Sequence, residues 1–439
     1  MIKSNVQISW LSDQIKSFLK FKTEKVLLEN FLSLSMLQVA NYLFPLITLP
    51  YLVRVLGPEK YGLIAFANAF VGYFMILTDY GFNLSATREI SINRDDEQKV
   101  SEIFGSVMII KLFLFVISFL FMSAIIFLFE KFRSDWILYY SAFGMVLGNI
   151  MFPAWFFQGV EKMKFITVLN LLAKLIFTVS IFIFVRKQVD YFLVPLLNSL
   201  GFIVAGVVSL YIIFKDFKIK FIIPTKQQIV HQFKEGWYIF VSTIAISLYT
   251  TSRVFIVGIF TNNIITGYYA IAEKLMNIFK TFPLFSFLQA VYPRLSEIYQ
   301  KNKLQAFLYM KKLQKITTAT YLCFCVFLFL SSKIIVLTVS GGRYTETINA
   351  FRLLSIAIFF ISANAFRVQF LLVSGDYELF SRIHVAISLF GFFLLIVLTK
   401  LFNYIGTALS IIVIELGVLI YTIWITKRLN FEILDNKTK

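Results

Sequence analysis

The sequence predicts an all-α polytopic membrane protein with about 12 transmembrane helices in two six-helix lobes around a central cavity. Hydrophobic residues make up 59% of the 439 residues, whereas charged residues make up only 15%. Apolar runs of about 20 residues, the length that crosses the hydrocarbon of a bilayer, follow one another along almost the whole chain. Two sets of six runs share landmarks, which indicates an internal repeat. Little of the chain is left for a water-soluble domain.

The predicted elements follow one another in a simple order. Residues 1–30 place apolar residues at helical spacing beside lysines, which is typical of an amphipathic helix on the cytoplasmic surface. The rest divides into an N-lobe at 31–214, a cytoplasmic linker at 215–235, a C-lobe at 236–426 and a cytoplasmic tail at 427–439. The predicted spans are 31–53, 61–87, 103–129, 136–158, 165–185, 192–214, 236–260, 267–293, 316–340, 347–373, 383–402 and 405–426.

The two halves repeat a pattern in their second spans. Each of these spans opens with a glycine and closes with an arginine, Gly62 with Arg88 in the first half and Gly267 with Arg294 in the second. Because each half has six predicted spans, both halves keep the same orientation and are related by an axis along the membrane normal. Two lobes arranged in this way enclose a central cavity.

The positive charge of the chain predicts its orientation. A net charge of +18 would suit a nucleic-acid partner, but the Lys and Arg residues concentrate in alternate connections. About 24 of them lie on one side of the predicted membrane and about 8 on the other, and cytoplasmic loops carry such an excess. Both termini are therefore predicted to be cytoplasmic, and the basic character indicates attraction to anionic lipid with no nucleic-acid partner.

Neither a catalytic residue nor a metal site nor a bound cofactor is predicted. The sequence has no nucleotide-binding loop, no metal-ligand spacing and no nucleophile triad. The connections on the predicted outer side are short, so none of them has room for a catalytic domain. Cys323 and Cys325 lie within one apolar span and are interpreted as packing residues.

Ionisable residues within the spans are the candidate site. A charge at the bilayer centre costs at least about 2.5–3.5 kcal/mol, so it needs a wet cavity, a partner or a route to the interface. Cations outnumber carboxylates, which favours an anionic passenger such as a phosphate or pyrophosphate. The predicted substrate-binding residues are Lys174, Arg253, Arg367, Arg88, Arg294 and Lys274. Anchoring at the inner headgroups is an equal alternative for Arg88, Arg294 and also Lys111.

Three carboxylates are candidates for coupling to H⁺ or Na⁺, namely Asp79, Glu273 and Glu415. The alternative for each is a structural ion pair with a neighbouring Lys or Arg. Glu273 could pair with Lys274, although adjacent helical residues point in different directions. Asp79 and Arg88 are two and a half turns apart, which disfavours a direct contact between them.

Three segments carry a family resemblance. Residues 41–62 include the string Tyr-Leu-Val-Arg-Val-Leu-Gly-Pro-Glu-Lys-Tyr-Gly, residues 78–89 include Thr-Asp-Tyr-Gly-Phe, and residues 153–159 read Pro-Ala-Trp-Phe-Phe-Gln-Gly. They resemble Wzx-type O-antigen flippases, in the polysaccharide-transporter branch of the multidrug/oligosaccharidyl-lipid/polysaccharide (MOP) superfamily. The resemblance is distinct over about residues 30–165 and architectural beyond them.

The resemblance implies a secondary-type transporter, not an enzyme. Its members use alternating access to move undecaprenyl-diphosphate-linked oligosaccharide repeat units from the cytoplasmic to the periplasmic leaflet of the bacterial inner membrane, and H⁺ or Na⁺ coupling is expected. The implied partners are the lipid-linked oligosaccharide, membrane lipid, and a polysaccharide polymerase with chain-length proteins. Two alternatives stay open. One is a MOP-fold exporter of another lipid-linked glycan, a peptidoglycan precursor or a drug, and the other is an inner-membrane polysaccharide polymerase.

Overall fold

A computed structural model describes residues 2–280, 284, 286–374 and 377–438. The described residues form helices and connections, with no strand among them, so the all-α prediction is confirmed there. The helices are α1 Ile2–Asp79, α2 Phe82–Asn93, α3 Glu97–Leu128, α4 Glu130–Arg133, α5 Trp136–Met151, α6 Ala154–Gly159, α7 Met163–Phe184, a 3₁₀ helix Gln188–Phe192, α8 Leu193–Lys215, α9 Lys226–Thr250, α10 Ser252–Phe260, α11 Asn263–Lys280, α12 Ser286–Lys301, α13 Lys303–Ser340, α14 Thr345–Val373 and α15 Tyr377–Thr438.

Eight described helical stretches are long and apolar enough to cross a membrane, or nine if the bent pair α9 and α10 forms one span. Two of the eight cover more than one predicted span, because α1 breaks at Gly57 and α15 breaks at Phe402 and Asn403. The eighth predicted span, 267–293, includes residues 281–283, which lie outside the described part. The number of twelve therefore stays a prediction, as does the surface position of residues 1–30, where no side chain of residues 1–28 is described.

Local chemistry explains these breaks. Gly57 has φ of 72°, a left-handed conformation that glycine adopts without a steric penalty, and Pro58 then suits the first turn of the following helix. In α15 the chain folds back, since the hydroxyl oxygens of Thr399 and Thr407 lie 2.7 Å apart. The break between α9 and α10 bends the chain by 51°.

Apolar side chains fill a core in each half of the bundle. The first core contains Phe66, Tyr139 and Trp155 and is built almost entirely from α1 to α8. The second contains Met276 and Phe351 and is built mainly from α10, α11 and α13 to α15. Other large apolar side chains, including those of Phe121, Leu330 and Phe393, are more than half exposed. Such positions suit contact with lipid tails, which are as apolar as leucine.

The lobes meet closely at one end of the bundle. We call the end with the breaks at Gly57 and Asn403 the predicted outer end, and the end with residues 94–96 and 216–225 the predicted inner end. At the predicted outer end, Lys131 of α4 donates to the carbonyl of Gly258 in α10. The rings of Phe66 and Phe255 stack nearby at 5.2 Å, so the two halves are in contact at this end.

Helix α9 joins the lobes at the predicted inner end. It begins within the predicted linker, where Thr225 and Gln228 form a reciprocal capping box. Its first turns pack on the N-lobe, since Nε2 of His231 lies 2.6 Å from Oε1 of Glu89 in α2. A methyl group at Gly236 would lie 2.8 Å from the carbonyl oxygen of Tyr80, so the backbones pack closely there. The second half of the predicted linker is therefore helical.

Candidate functional site

A pair of lysines, one from each half, lies between the lobes. Lys174 of α7 donates to Oδ1 of Asn41 in α1, and its ammonium is close enough to that of Lys274 in α11 for their charges to repel. Neither ammonium lies within 4.0 Å of a carboxylate oxygen of the described residues. The side chain of Lys274 is exposed although it lies deep in the protein. These facts indicate a positively charged space that is accessible from outside the protein.

A second group of charges lies buried in the C-lobe. Nη1 of Arg253 in α10 is 3.5 Å from Oε1 of Glu273 in α11, and the hydroxyl of Tyr249 in α9 donates to Oε1 of Glu415 in α15 at 2.9 Å. Arg253 is 6% exposed and Glu415 is 8% exposed. Lys280 lies within electrostatic reach of both carboxylates. This C-lobe charge cluster balances two cations with two anions.

Neutral polar residues extend the C-lobe charge cluster. Nδ2 of Asn364 donates to the backbone carbonyl of Glu415 at 3.1 Å, and the hydroxyl of Thr422 donates to Oδ1 of Asn364 at 3.1 Å. Sequence reasoning missed Tyr249, Asn364 and Thr422 because it considered only residues with a charge. The available signal was an amide in the middle of an apolar span, since Asn364 is 3% exposed and a buried amide needs partners.

A third group, the N-lobe charge cluster, surrounds Asp79. Its Oδ1 lies 2.8 Å from Nζ of Lys111 and accepts from Nδ2 of Asn149 at 3.2 Å, while Oδ2 accepts from Asn83 at 3.1 Å. The side chain of Lys111 is 1% exposed. Anchoring at the headgroups, the alternative considered for Lys111, is therefore wrong. The carboxylate of Asp79 holds the side chain of Lys111 inside the protein. Lys111 is therefore added to the candidate residues.

The other predicted cations lie away from the lysine pair. Arg88 and Arg294 are largely exposed at the predicted inner end, where Arg88 lies 4.0 Å from Glu235 and Arg294 lies 2.8 Å from Glu297. Arg367 donates to the carbonyl of Ala363 and borders a groove within the C-lobe. The structure thus brings Lys174 and Lys274 together, places Arg253 with its carboxylates, and leaves the remaining three elsewhere.

The arrangement can bind an anion between the lobes and hold protons or cations on buried carboxylates. The lysine pair supplies two donors that would each gain from an anionic acceptor. The described residues include no group of three or more His, Cys, Asp or Glu side chains that could hold a metal ion.

Solved structures of transporters share this fold. The lipid II flippase MurJ, in an inward closed conformation, matches with a TM-score of 0.72 at 13% identity over 89% of this chain and 87% of that chain. An inward-facing multidrug transporter of the MATE family matches with a TM-score of 0.68 at 15% identity over 88% of this chain and 95% of that one. The molecule therefore has the fold that these transporters share.

The chain belongs to the polysaccharide biosynthesis protein family, whose pattern matches residues 27–299. A relative from Escherichia coli (strain K12), named "Putative O-antigen transporter", is 32% identical over 387 residues, which are 88% of this chain and 93% of that protein. A relative of the same name from Shigella dysenteriae is 30% identical over 298 residues, 68% of this chain and 73% of that protein. These relatives confirm the resemblance to O-antigen transporters that the sequence motifs indicate.

Proposed function

We propose that this chain is a flippase that moves a lipid-linked oligosaccharide between the leaflets of a membrane by alternating access. The observation that carries the proposal is the lysine pair, Lys174 and Lys274, whose like charges lie close enough to repel and have no carboxylate oxygen within 4.0 Å among the described residues. A diphosphate between a lipid and a sugar chain has the charge and the acceptor oxygens that two ammonium groups need. The relatives named as O-antigen transporters support this substrate class.

The lysine pair also suggests how binding drives motion. Because one lysine belongs to each half, their repulsion opposes closure of the space between the lobes. An anion placed between them would replace that repulsion with attraction to both halves. A ligand shifts a conformational equilibrium by the difference between its affinities for the two states, so the diphosphate would favour the state in which both lysines reach it.

The contacts between the lobes suggest the direction of loading. The predicted outer end is held together through Lys131 and the stacked rings of Phe66 and Phe255. At the predicted inner end the described contacts with the N-lobe come from α9. We infer that the space between the lobes loads from this end, beside α9, and the distribution of Lys and Arg predicts that this end is cytoplasmic. The proposed location is the inner membrane of a bacterium with both termini cytoplasmic. The lipid tail would stay in the bilayer, and a polysaccharide polymerase with chain-length proteins would receive the product.

The two charge clusters supply the proposed coupling to H⁺ or Na⁺. In the C-lobe charge cluster Arg253 is held by Glu273, so it is not available to a passenger in this state. A proton on Glu273 would remove that attraction and release the guanidinium toward the space between the lobes. Asp79 and Glu415 offer similar sites, each with a specific donor that would respond to a change in charge.

The test is to delete the gene in its host and to measure lipid-linked repeat units on each side of the membrane. Wild type, Lys174→Gln, Lys274→Gln and the control Lys220→Gln, an exposed linker lysine, are compared at equal protein level. Build-up on the cytoplasmic side that wild type and Lys220→Gln relieve, and the other two variants do not, is the expected result. An unchanged distribution after deletion would refute a glycan flippase and direct attention to a peptidoglycan precursor or a drug.

A further inference from the structure

A groove lies within the C-lobe, apart from the lysine pair. It has a volume of about 860 Å³, and all of its lining residues come from α13, α14 and α15. Five basic residues line it, and none of the lining residues is acidic. The basic residues are Lys311, Lys312, Lys315, Arg367 and Lys427. This concentration of one charge within a single lobe is not used by the proposed transport cycle.

One face of α13 changes from basic to apolar along its length. Lys311, Lys315, Thr318 and Leu322 follow one another at intervals of three or four residues, so they share a face of the helix. Lys311 and Lys315 are exposed at the predicted inner end. Toward the middle of the predicted span the lining becomes apolar. The groove therefore has a cationic head region near the predicted membrane surface and an apolar continuation.

A second cavity of about 210 Å³ extends the groove. It is lined by Leu322, Cys325, Val326, Phe329, Leu330, Ile356 and Phe359, and it shares Leu322 and Phe359 with the first. No charged residue lines this part. A molecule that fills both cavities must be anionic at one end and apolar at the other.

The uncharged polar residues of the groove already have partners in the protein. Gln314 donates to the carbonyl of Ser362 at 3.0 Å and accepts from the backbone N–H of Phe366 at 3.0 Å. Thr426 donates to the carbonyl of Thr422 at 2.7 Å. The cations are therefore the groups that remain to recognise a ligand, and Arg367 is half-buried among apolar neighbours such as Phe359 and Ile423.

We propose that this groove binds a phospholipid with an anionic headgroup. Its phosphate would lie among Lys311, Lys315 and Arg367, and one acyl chain would follow α13 from Leu322 to Leu330. Basic pockets between membrane helices at the cytoplasmic surface bind such headgroups. Because the groove lies within one lobe, movement between the lobes would leave it intact. This property suits a lipid that stays bound and stabilises α13, α14 and α15, and it does not suit a passenger that crosses.

The experiment measures the melting temperature of the purified chain in a neutral detergent. The additives are phosphatidylglycerol, phosphatidylethanolamine, inorganic phosphate and polyprenyl diphosphate, each added to wild type, Lys315→Gln, Arg367→Gln and the control Lys220→Gln. We expect phosphatidylglycerol to raise the melting temperature of wild type and of Lys220→Gln by several degrees. The rise should fall by at least half in Lys315→Gln, where an exposed side chain changes and folding is not at risk.

Three results would overturn the proposal. A rise with inorganic phosphate as large as that with phosphatidylglycerol would show that the apolar part is not used. A rise with polyprenyl diphosphate that is lost in Lys315→Gln and Arg367→Gln, with no rise from phosphatidylglycerol, would assign the groove to the passenger. Equal rises in wild type, Lys315→Gln and Arg367→Gln would place the lipid elsewhere. None of these readouts requires transport, so failure of the flippase proposal leaves this test unaffected.

Discussion

Gly62 and Gly267, which occupy equivalent positions in the two halves of the sequence, lie against each other in the structure. A methyl group built on Gly62 would be 2.5 Å from the backbone nitrogen of Gly267 and 2.8 Å from its Cα. If the predicted repeat relates the two halves, its axis passes near this contact. Small residues allow membrane helices to approach this closely. The glycine pair thus holds the lobes together at the predicted outer end.

Substitution of Gly62 by alanine should open the predicted outer end. The added methyl has no room, and overpacking of this kind costs about 1–3 kcal/mol, enough to shift a balance between two conformations by about fivefold or more. Spin labels at Glu130→Cys and Arg343→Cys, both exposed, measure the separation of the lobes after Cys323 and Cys325 are replaced by serine. We expect a longer distance to become the main population.

Gly417→Ala is the matched control for this change, because a methyl group there meets no atom within 4 Å. Its distance distribution should equal that of the parent. If Gly62→Ala and Gly417→Ala give the same distribution, the glycine pair does not hold the outer end closed.

Removal of one charge from the lysine pair should stabilise the protein while it impairs transport. Lys274→Gln relieves the repulsion on Lys174 and the desolvation of a deeply placed ammonium, which together outweigh the lost attraction to Glu273, so the melting temperature without substrate should rise. The same change removes a ligand of the proposed diphosphate, so repeat-unit transport should fall at least tenfold. Thermal unfolding and the accumulation assay are measured on the same variant. A lower melting temperature together with normal transport would contradict both expectations.

Removal of one partner of the ion pair between Asp79 and Lys111 should destabilise the protein. Lys111→Met leaves the partly exposed carboxylate of Asp79 without its cation. The loss of one partner of a fully buried pair costs about 3–5 kcal/mol, and we expect the lower end of that range here. The double variant Asp79→Asn with Lys111→Met removes both charges and should recover most of the stability. Free energies of unfolding of wild type, Asp79→Asn, Lys111→Met and the double variant give the coupling energy.

The double variant also separates structure from ion coupling. A stable double variant that no longer transports would assign Asp79 to coupling. A stable double variant with normal transport would show that the pair serves packing alone.

Alkaline pH should favour closure of the predicted outer end through Lys131. Burial lowers the pKa of Lys131 in the closed state, whereas an open state would expose it and restore the ordinary value of 10.5. Closure therefore releases a proton and becomes more favourable as pH rises between the lowered pKa and 10.5. The distance between the same two spin labels should shorten over this range in wild type. Lys131→Gln, which keeps a donor for Gly258, should show no such dependence.

Much of the architecture could be predicted because it depends on local composition. The length and spacing of the apolar runs predict helices long enough to cross a membrane. The dipeptide Gly57-Pro58 predicts the break in α1. The repeat was visible through Gly62 and Gly267, although nothing in their spacing showed that they touch. The neutral members of the charge clusters, such as Asn364, were missed because an amide has little effect on hydropathy.

The sequence by itself determined an all-α membrane protein of this family, with cations concentrated within and between its spans. Only the tertiary structure decided which charges meet. Asp79 pairs with Lys111 and not with Arg88, Glu273 pairs with Arg253, and Lys174 lies within electrostatic reach of Lys274 from the other half. These partners are between 20 and 100 residues apart, so their contacts depend on how each helix is rotated and where the lobes meet. Local periodicity determines which residues share a helix face, and packing between helices determines what that face contacts.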